Sequence, residues 1–407
     1  MRTIYINYTD SITKPNYRKL SGFLKASKKT KYHGGGKYTN MILQKMQENH
    51  GDDGYNFILL WPKDHQPQTE LEKSLYNDGF YTIQEIESLS EETRLVEGST
   101  LFLPLLHNPA DYNELKRIKD ANPTVKIVAT IHDLRSSFNN YGLSTRYYFT
   151  GLKYHLFFLQ RPAFWFLNTL YFNRKIKKGV KLLDKIITVS NYSLQQIIRY
   201  PVKGRIIPQY QINSLEPGIS KTPREPKENY FLFVSGSRPV KNFLRTLEAF
   251  CVFKETDSNG YFLYATGVDE SLLSNLMRYG KLNKEIVQKW VKVMGYVDEE
   301  TLDSLYRNCN ALLYTSLHEG FGLPLLEAAR QGRPAISSYL SSIPEVLGCC
   351  SHYVNPYDVQ SMAKGMKYMS QEHILEQYEK RIYERYPLLE QRWLLDSNVV
   401  LEYILED

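Results

Sequence analysis

Glu319 and Glu327 flank a glycine turn in the string His318-Glu-Gly-Phe-Gly-Leu-Pro-Leu-Leu-Glu-Ala328, with seven residues between them. The preceding "ALLYTS" (311–316) reads as a strand, and Pro324 suits the first position of a helix, where a missing N–H costs nothing. Gly332 closes that helix near C′, so the helix is expected from Pro324 to about Gln331. Leu323 then occupies the cap position and brings no side-chain acceptor for the free amides, a lack worth ~1 kcal/mol of helix stability. Bare amides, the positive end of the helix dipole and the close approach allowed by Gly320 and Gly322 together make an anion site. A phosphate or diphosphate fills it. The glutamates would repel that phosphate, so hydroxyls are their natural partners. Glu327, one turn in, leans back toward the helix start and can accept from a ribose diol. Glu319 lies before the turn, where the hydroxyls of a second sugar would sit. The pattern suits a nucleotide sugar, whereas a solvated turn and a surface helix would need only part of it.

A diphosphate also calls for cations. "FVSGSRPVKN" (233–242) supplies Arg238 and Lys241 after a strand and a Ser-Gly-Ser turn, at the entrance of the next helix. Arginine grips phosphate with two donors and lysine adds a point charge. The carboxyl end of a strand is where open α/β sheets bind ligands, which favours this reading over ordinary surface. In the N-terminal half, "TIHDLR" (130–135) puts His132 at another strand end, able to donate to a sugar hydroxyl or support developing charge. "HGGGKY" (33–38) opens room for a ligand near Gly35 and Gly36, without the spacing of a dinucleotide fingerprint. "VSNYS" (189–193) is expected to cap a helix through Ser190 or Asn191.

The elements that must position these residues alternate along the chain. Short apolar runs at 3–8, 57–61, 100–105, 126–132 and 185–190, and again at 230–236, 261–267, 292–297, 311–316 and 334–338, are separated by helix-like spans. That alternation implies parallel sheets built of βαβ units. Phe243, Leu244, Leu247, Phe250 and Cys251 share one helical face. "NSLEPGISKTPREPKENY" (213–230), with three prolines, reads as a linker. At 407 residues the chain exceeds one ordinary core, and two α/β domains are expected, 1–215 and 225–387, with a closing amphipathic segment 388–407.

A hydrophobic share of 42% and a charged share of 23% exclude a disordered chain. No apolar run reaches the ~18 residues of a membrane span, and the start carries no signal core, so a cytoplasmic setting is expected. Four cysteines without metal spacing fit a reduced compartment. The formal charge of +7 is concentrated: residues 134–183 contain nine Lys or Arg, thirteen aromatics and no acid, and 14–37 are likewise basic without an acid. Such a mixture suits an anionic membrane surface, with a helix pair of core aromatics and solvated lysines as the plainer alternative. Nucleic acid is not expected as a partner. Neither half shows G-x-G-x-x-G after its first strand, which disfavours a pyridine-nucleotide dehydrogenase.

Taken in order, "TIHDLR", "DKIITVSNYS", "FVSGSRPVKN", "GYVDEETLDSLYRNC" and "SLHEGFGLPLLEAARQGRPAISSYLSSIPEVLG" resemble the retaining nucleotide-sugar glycosyltransferases of family four, over residues 125–360. The likeness is strongest over 311–347, where Glu319 and Glu327 fit the family's two-glutamate motif. The glycine loop is a looser match, with Gly34–Gly35 or Gly35–Gly36 as the pair. The resemblance implies the GT-B fold: two Rossmann-like domains facing across a cleft, an acceptor-side domain first and a donor-binding domain second, and a last helix crossing back to the first. It assigns the diphosphate to Arg238 and Lys241, the ribose to Glu327, and the transferred sugar to Glu319 and His132. Backbone groups of Phe321, Gly322 and Leu323 would reach sugar and phosphate, and the loop at Tyr296 and Val297 the base. Ser237 stands where many members carry glycine before the arginine.

The activity implied is transfer of a hexosyl or N-acetylhexosaminyl group from a UDP-sugar, GDP-sugar or similar donor to an acceptor hydroxyl, with retention. No Asp-X-Asp site appears in the motifs, so neither metal nor further cofactor is expected. The basic-aromatic segment points to a saccharide or lipid-linked acceptor of surface polysaccharide or glycolipid synthesis, at the inner face of a membrane. Competing readings are a nucleotide-sugar epimerase or hydrolase, which would turn over donor without acceptor, and a membrane-binding scaffold with a dead sugar site.

Overall fold

Each of the ten apolar runs contains a strand. In the computed structural model, which describes all residues except 1, 13–33, 50–53, 64, 88, 90–93, 107–111, 135–147, 149–161, 210–217, 280–281 and 407, thirteen strands form two wholly parallel sheets. The first holds β1 (Arg2–Asn7), β2 (Tyr55–Pro62), β3 (Thr82–Ile86), β4 (Thr100–Leu106), β5 (Lys126–Ile131), β6 (Lys185–Thr188) and β7 (Ile206–Pro208) in the order β3-β2-β1-β4-β5-β6-β7. The second holds β8 (Tyr230–Phe233), β9 (Phe262–Ala265), β10 (Val291–Val293), β11 (Ala311–Tyr314), β12 (Ala335–Ser338) and β13 (Ser351–Val354) in the order β10-β9-β8-β11-β12-β13. Both orders reverse direction beside their first strand, between β1 and β4 and between β8 and β11. Such reversals are the switch points where open α/β sheets leave a crevice at the strands' carboxyl ends.

The helices that matter to the site are α1 (Gly34–Asn49), α2 (Pro162–Val180), α3 (Asn191–Ile197), α4 (Phe243–Lys254), α5 (Glu299–Asn308), α6 (Leu323–Arg330), α7 (Val359–Met369) and α8 (Glu372–Leu405). The chain divides into one unit of Met1–Ser137, Thr169–Leu215 and Trp393–Asp407 and another of Phe138–Asn168 and Glu216–Arg392. The closing segment 388–407 is the end of the 34-residue α8, which runs unbroken through Pro387. The basic run 14–33, the stretches 135–147 and 149–161, and linker residues 213–217 lie outside the described residues.

Burial explains both sheets. In the first unit Ile4, Ile6, Leu59, Trp61 and Phe102 pack with Ile42 and Leu43 of α1 and with Val400, Leu401 and Ile404 of α8. In the second, Phe231 and Phe233 of β8 pack with Phe243, Leu247, Phe250 and Phe253 of α4, and the helical face read from the sequence is buried throughout. Three strands escape the apolar pattern: "TIQEI" of β3, "IIP" of β7 and "SHYV" of β13. All three are sheet edges, and an edge strand has no need of the continuous apolar run that burial on both faces demands.

Helix α7 lies close against the second sheet because Gly365 has no side chain. A Cβ there would come within 2.5 Å of Val354 Cγ1 and 3.4 Å of Ile336 Cγ2. Gly365→Ala should therefore lower stability by about 1–3 kcal/mol through overpacking, outweighing the ~1 kcal/mol that alanine gains in helix propensity. A urea midpoint at or above that of the parent protein would contradict this.

Candidate functional site

The second unit gathers its sequence-predicted residues at the carboxyl ends of β8, β10 and β11. β8 and β11 are hydrogen-bonded neighbours, with Leu313 opposite Phe233, so the loops that follow them emerge side by side at the switch point. After β8 the backbone turns through Ser235 at φ 59°, and Gly236 is buried against Val268 and Phe243. Ser237 is not a positive-φ position, so serine there strains nothing. A 3-10 turn, Pro239–Lys241, then leads into α4, with Arg238 exposed as its first flanking residue.

Lys241 is buried, and its Nζ donates to Glu319 Oε1 at 2.7 Å and to the Tyr314 hydroxyl at 3.0 Å. The ammonium also lies 4.5 Å from the centre of the Tyr314 ring. The sequence placed Lys241 and Glu319 on different parts of a ligand; the fold puts them in direct contact. Two charges this deeply buried need a partner, and each supplies the other's.

The Glu319 turn is held by its backbone. Its amide donates to Ser341 Oγ at 2.9 Å, and Ser342 Oγ lies 3.1 Å from the Glu319 carbonyl and 2.7 Å from that of Phe321. Ser341 itself is left-handed at φ 55°. Neither serine stood out in the sequence, since "LSSIP" before a proline reads as a helix entrance.

Helix α6 begins one residue earlier than Pro324 predicts. Gly322, at φ 120°, is the cap, and Leu323 is the first helical residue instead of the cap. The reason is conformational: the cap here needs a backbone angle that only glycine adopts without strain, and leucine does not. The consequence read from the sequence survives the shift, because Gly322 offers no side-chain cap either. Glu327, half-buried one turn in, accepts from the Tyr306 hydroxyl of α5 at 2.7 Å. Burial first, and the Glu327 charge second, push the Tyr306 phenol well above its usual range, so it stays a donor. Val297 is half-buried in the loop after β10, between Gly295 at φ 60° and Asp298, which caps α5.

In the first unit His132 follows β5 directly. Its Nε2–H donates to the Pro104 carbonyl at 3.2 Å, and the Tyr38 ring meets it edge-on at 5.0 Å. Tyr38 is fixed in turn, donating to Gln209 Oε1 at 2.8 Å and lying 3.1 Å from Thr130 Oγ1. Gly35 and Gly36 are in the first turn of α1 and not in a loop ahead of it, because α1 already starts at Gly34. The first turn is where glycine weakens a helix least, and where amides await an acceptor. His33 lies outside the described residues. Ser190 caps α3 and accepts from the Ser193 amide.

Removing one member of the Lys241–Glu319 pair strands a buried charge, and each of Lys241→Met and Glu319→Gln should cost about 3–5 kcal/mol. The double variant should recover most of that loss. Additive losses in urea unfolding would show that the pair is not the coupled unit described.

Comparison with known proteins points to glycosyl transferases. The model of the family "Glycosyl transferases group 1" matches residues 217–386. The chain is 29% identical over 212 residues to the O-antigen chain mannosyltransferase B of Escherichia coli, covering 47% of this chain and 53% of that one. It is 30% identical over 223 residues to the O-antigen chain mannosyltransferase RfbU of Salmonella typhimurium, covering 52% and 59%. The chain thus spans little more than half the length of these curated relatives. Among solved structures, the sucrose-phosphate synthase of Thermosynechococcus elongatus superposes with a TM-score of 0.61 at 13% identity, over 99% of this chain and 98% of that one. An Anabaena protein crystallised with UDP and glucose gives 0.61 at 12% identity, over 99% of both chains. Residues 217–386 are therefore similar to the group 1 glycosyl transferases, within a chain that has the two-sheet GT-B fold.

Proposed function

We propose that the protein is a family-four glycosyltransferase that moves a hexosyl group from a nucleoside diphosphate sugar to an acceptor hydroxyl in surface polysaccharide or glycolipid synthesis. One observation carries this reading: the buried Lys241–Glu319 pair stands at the same switch point as a helix capped by a bare glycine. That combination offers cationic and amide donors to phosphate beside a carboxylate for sugar hydroxyls. The mannosyl transfer named for both relatives supports a hexose, and their O-antigen role supports a saccharide or lipid-linked acceptor. We assign residues 1–215 with 388–407 to the acceptor side and 225–387 to the donor side.

The chemistry follows from these groups. Departure of the nucleoside diphosphate leaves an oxocarbenium-like ion, and Arg238, Lys241 and the amides of Gly322 and Leu323 at the start of α6 take up the leaving charge. Glu319 accepts from hydroxyls of the transferred sugar, Glu327 from the ribose, and backbone at Val297 meets the base. His132 is assigned to the transferred sugar. The departing phosphate oxygen accepts the acceptor hydroxyl's proton on the face it leaves, so the acceptor adds from that face and configuration is retained. Transfer from GDP-mannose, or from the UDP- or GDP-sugar that stabilises the protein most in a thermal-shift panel, should persist in EDTA and give a product with the donor's anomeric configuration by NMR. An inverted centre, or activity abolished by EDTA and restored by a divalent cation, refutes this mechanism. Donor turnover that needs no acceptor would instead mark an epimerase or hydrolase.

We further assign the inner membrane face as the site of action. No helix among the described residues is long and apolar enough to cross a membrane. Along α2, Leu167, Leu170 and Tyr171 are exposed, with Leu167 at 62% and Tyr171 at 53%, and one to two turns on follow exposed Arg174, Lys177 and Lys178. Exposed apolar side chains and cations on one helix suit an anionic lipid surface. Flotation should carry the protein with vesicles containing phosphatidylglycerol and leave it behind with phosphatidylcholine alone. Equal behaviour with both would end this assignment.

A further inference from the structure

Asn242 follows Lys241 directly and is left-handed, at φ 68° and ψ 28°, between the 3-10 turn and α4. It is the first flanking residue of α4 yet makes no side-chain cap bond to that helix. Its side chain turns elsewhere. Nδ2 donates to the Thr315 carbonyl at 3.3 Å and to the Pro356 carbonyl at 2.7 Å, while Oδ1 accepts from Arg245 Nη1 at 2.9 Å. Thr315 immediately follows β11, in the loop that goes on to Glu319, and Pro356 follows β13. Two lesser ties run in parallel: the Leu317 amide donates to the Val240 carbonyl at 2.8 Å, and the Thr246 and Thr315 hydroxyls meet at 2.5 Å. All of Asn242 but 3% is buried.

We infer that Asn242 is a positioning residue for the diphosphate site, clamping the Lys241 turn to the β11 loop so that the ammonium, the Tyr314 hydroxyl and Glu319 keep their register. The inference rests on the nucleoside-diphosphate reading of the site. Its physical basis is that a lysine stem has four rotatable bonds, and only a fixed backbone keeps its head aimed. A left-handed asparagine costs less than most non-glycine residues, and its amide donates to two carbonyls in the loops after β11 and β13. Capping alone would not require this, because a cap side chain bonds its own helix.

The test separates backbone from clamp. Asn242→Gly accepts the positive φ without strain but removes all three side-chain bonds. Asn242→Asp keeps the size and sets a carboxylate oxygen against two carbonyls. Calorimetric titrations with UDP and GDP, each set against NMR titration of its nucleoside, report the diphosphate's share of binding. Asn242→Gly should lower diphosphate affinity roughly tenfold while nucleoside affinity stays within about twofold, and Asn242→Asp should lose more. Unchanged diphosphate affinity in Asn242→Gly, a parallel loss for nucleoside and diphosphate, or failure of both variants to fold would overturn the positioning role. A parent protein that takes up neither diphosphate would bring down the donor reading itself, and this inference with it.

Discussion

The second unit depends on one constraint: a lysine and a glutamate are both buried, and at 2.7 Å each offsets the cost of burying the other's charge. Everything around the pair keeps that distance. β8 and β11 are hydrogen-bonded neighbours, so the loops they release are already close. The serines at 341 and 342 hold the Glu319 turn by its amide and carbonyls, and Asn242 holds the Lys241 turn. A pair of this kind adds little net stability compared with apolar residues of similar volume, because desolvation consumes most of the Coulombic gain. Its use lies in fixing where a positive and a negative group stand before any ligand arrives, which is what stabilising a developing charge requires.

Much of this was legible in the sequence, and the parts that were not share causes. The central strands showed themselves as apolar runs because both of their faces are covered. The edge strands β3, β7 and β13 did not, since "TIQEI" alternates and "IIP" is too short to show a period. Several predicted strands ran on too far: 230–236 stops at Phe233, 292–297 at Val293 and 311–316 at Tyr314. Several surplus residues, Val234, Val297 and Thr315 among them, are β-branched like the strand, but they are where the backbone leaves the ladder. Val234, Thr315 and Ser316 are as buried as strand residues, so composition cannot separate the two.

The candidate residues themselves were legible because glycine, proline and charge at fixed spacing have few structural uses. What holds those residues was not. Tyr314 looks like any aromatic ending a strand, yet it contributes both a hydroxyl and a ring face to Lys241. Asn242 looks like a helix cap, and only the backbone angle and the two distant carbonyls show otherwise. Leu323 was placed at the cap because Pro324 suits the first helical position, but proline suits the second as well, and the positive φ then had to fall on Gly322.

Glu327 differs from Glu319 in a way that divides their work. Glu319 faces a cation, so its charge is neutralised inside the protein. Glu327 faces a neutral donor, the Tyr306 hydroxyl, whose proton burial and the carboxylate's own charge hold firmly in place. A carboxylate so placed has one lone pair occupied by a neutral donor that holds its own proton. The pair of glutamates is thus unlike the acid and base of a hydrolase, where two carboxyls must hold different protonation states near the reacting atom. Here one carboxylate is matched to a lysine and the other to a phenol.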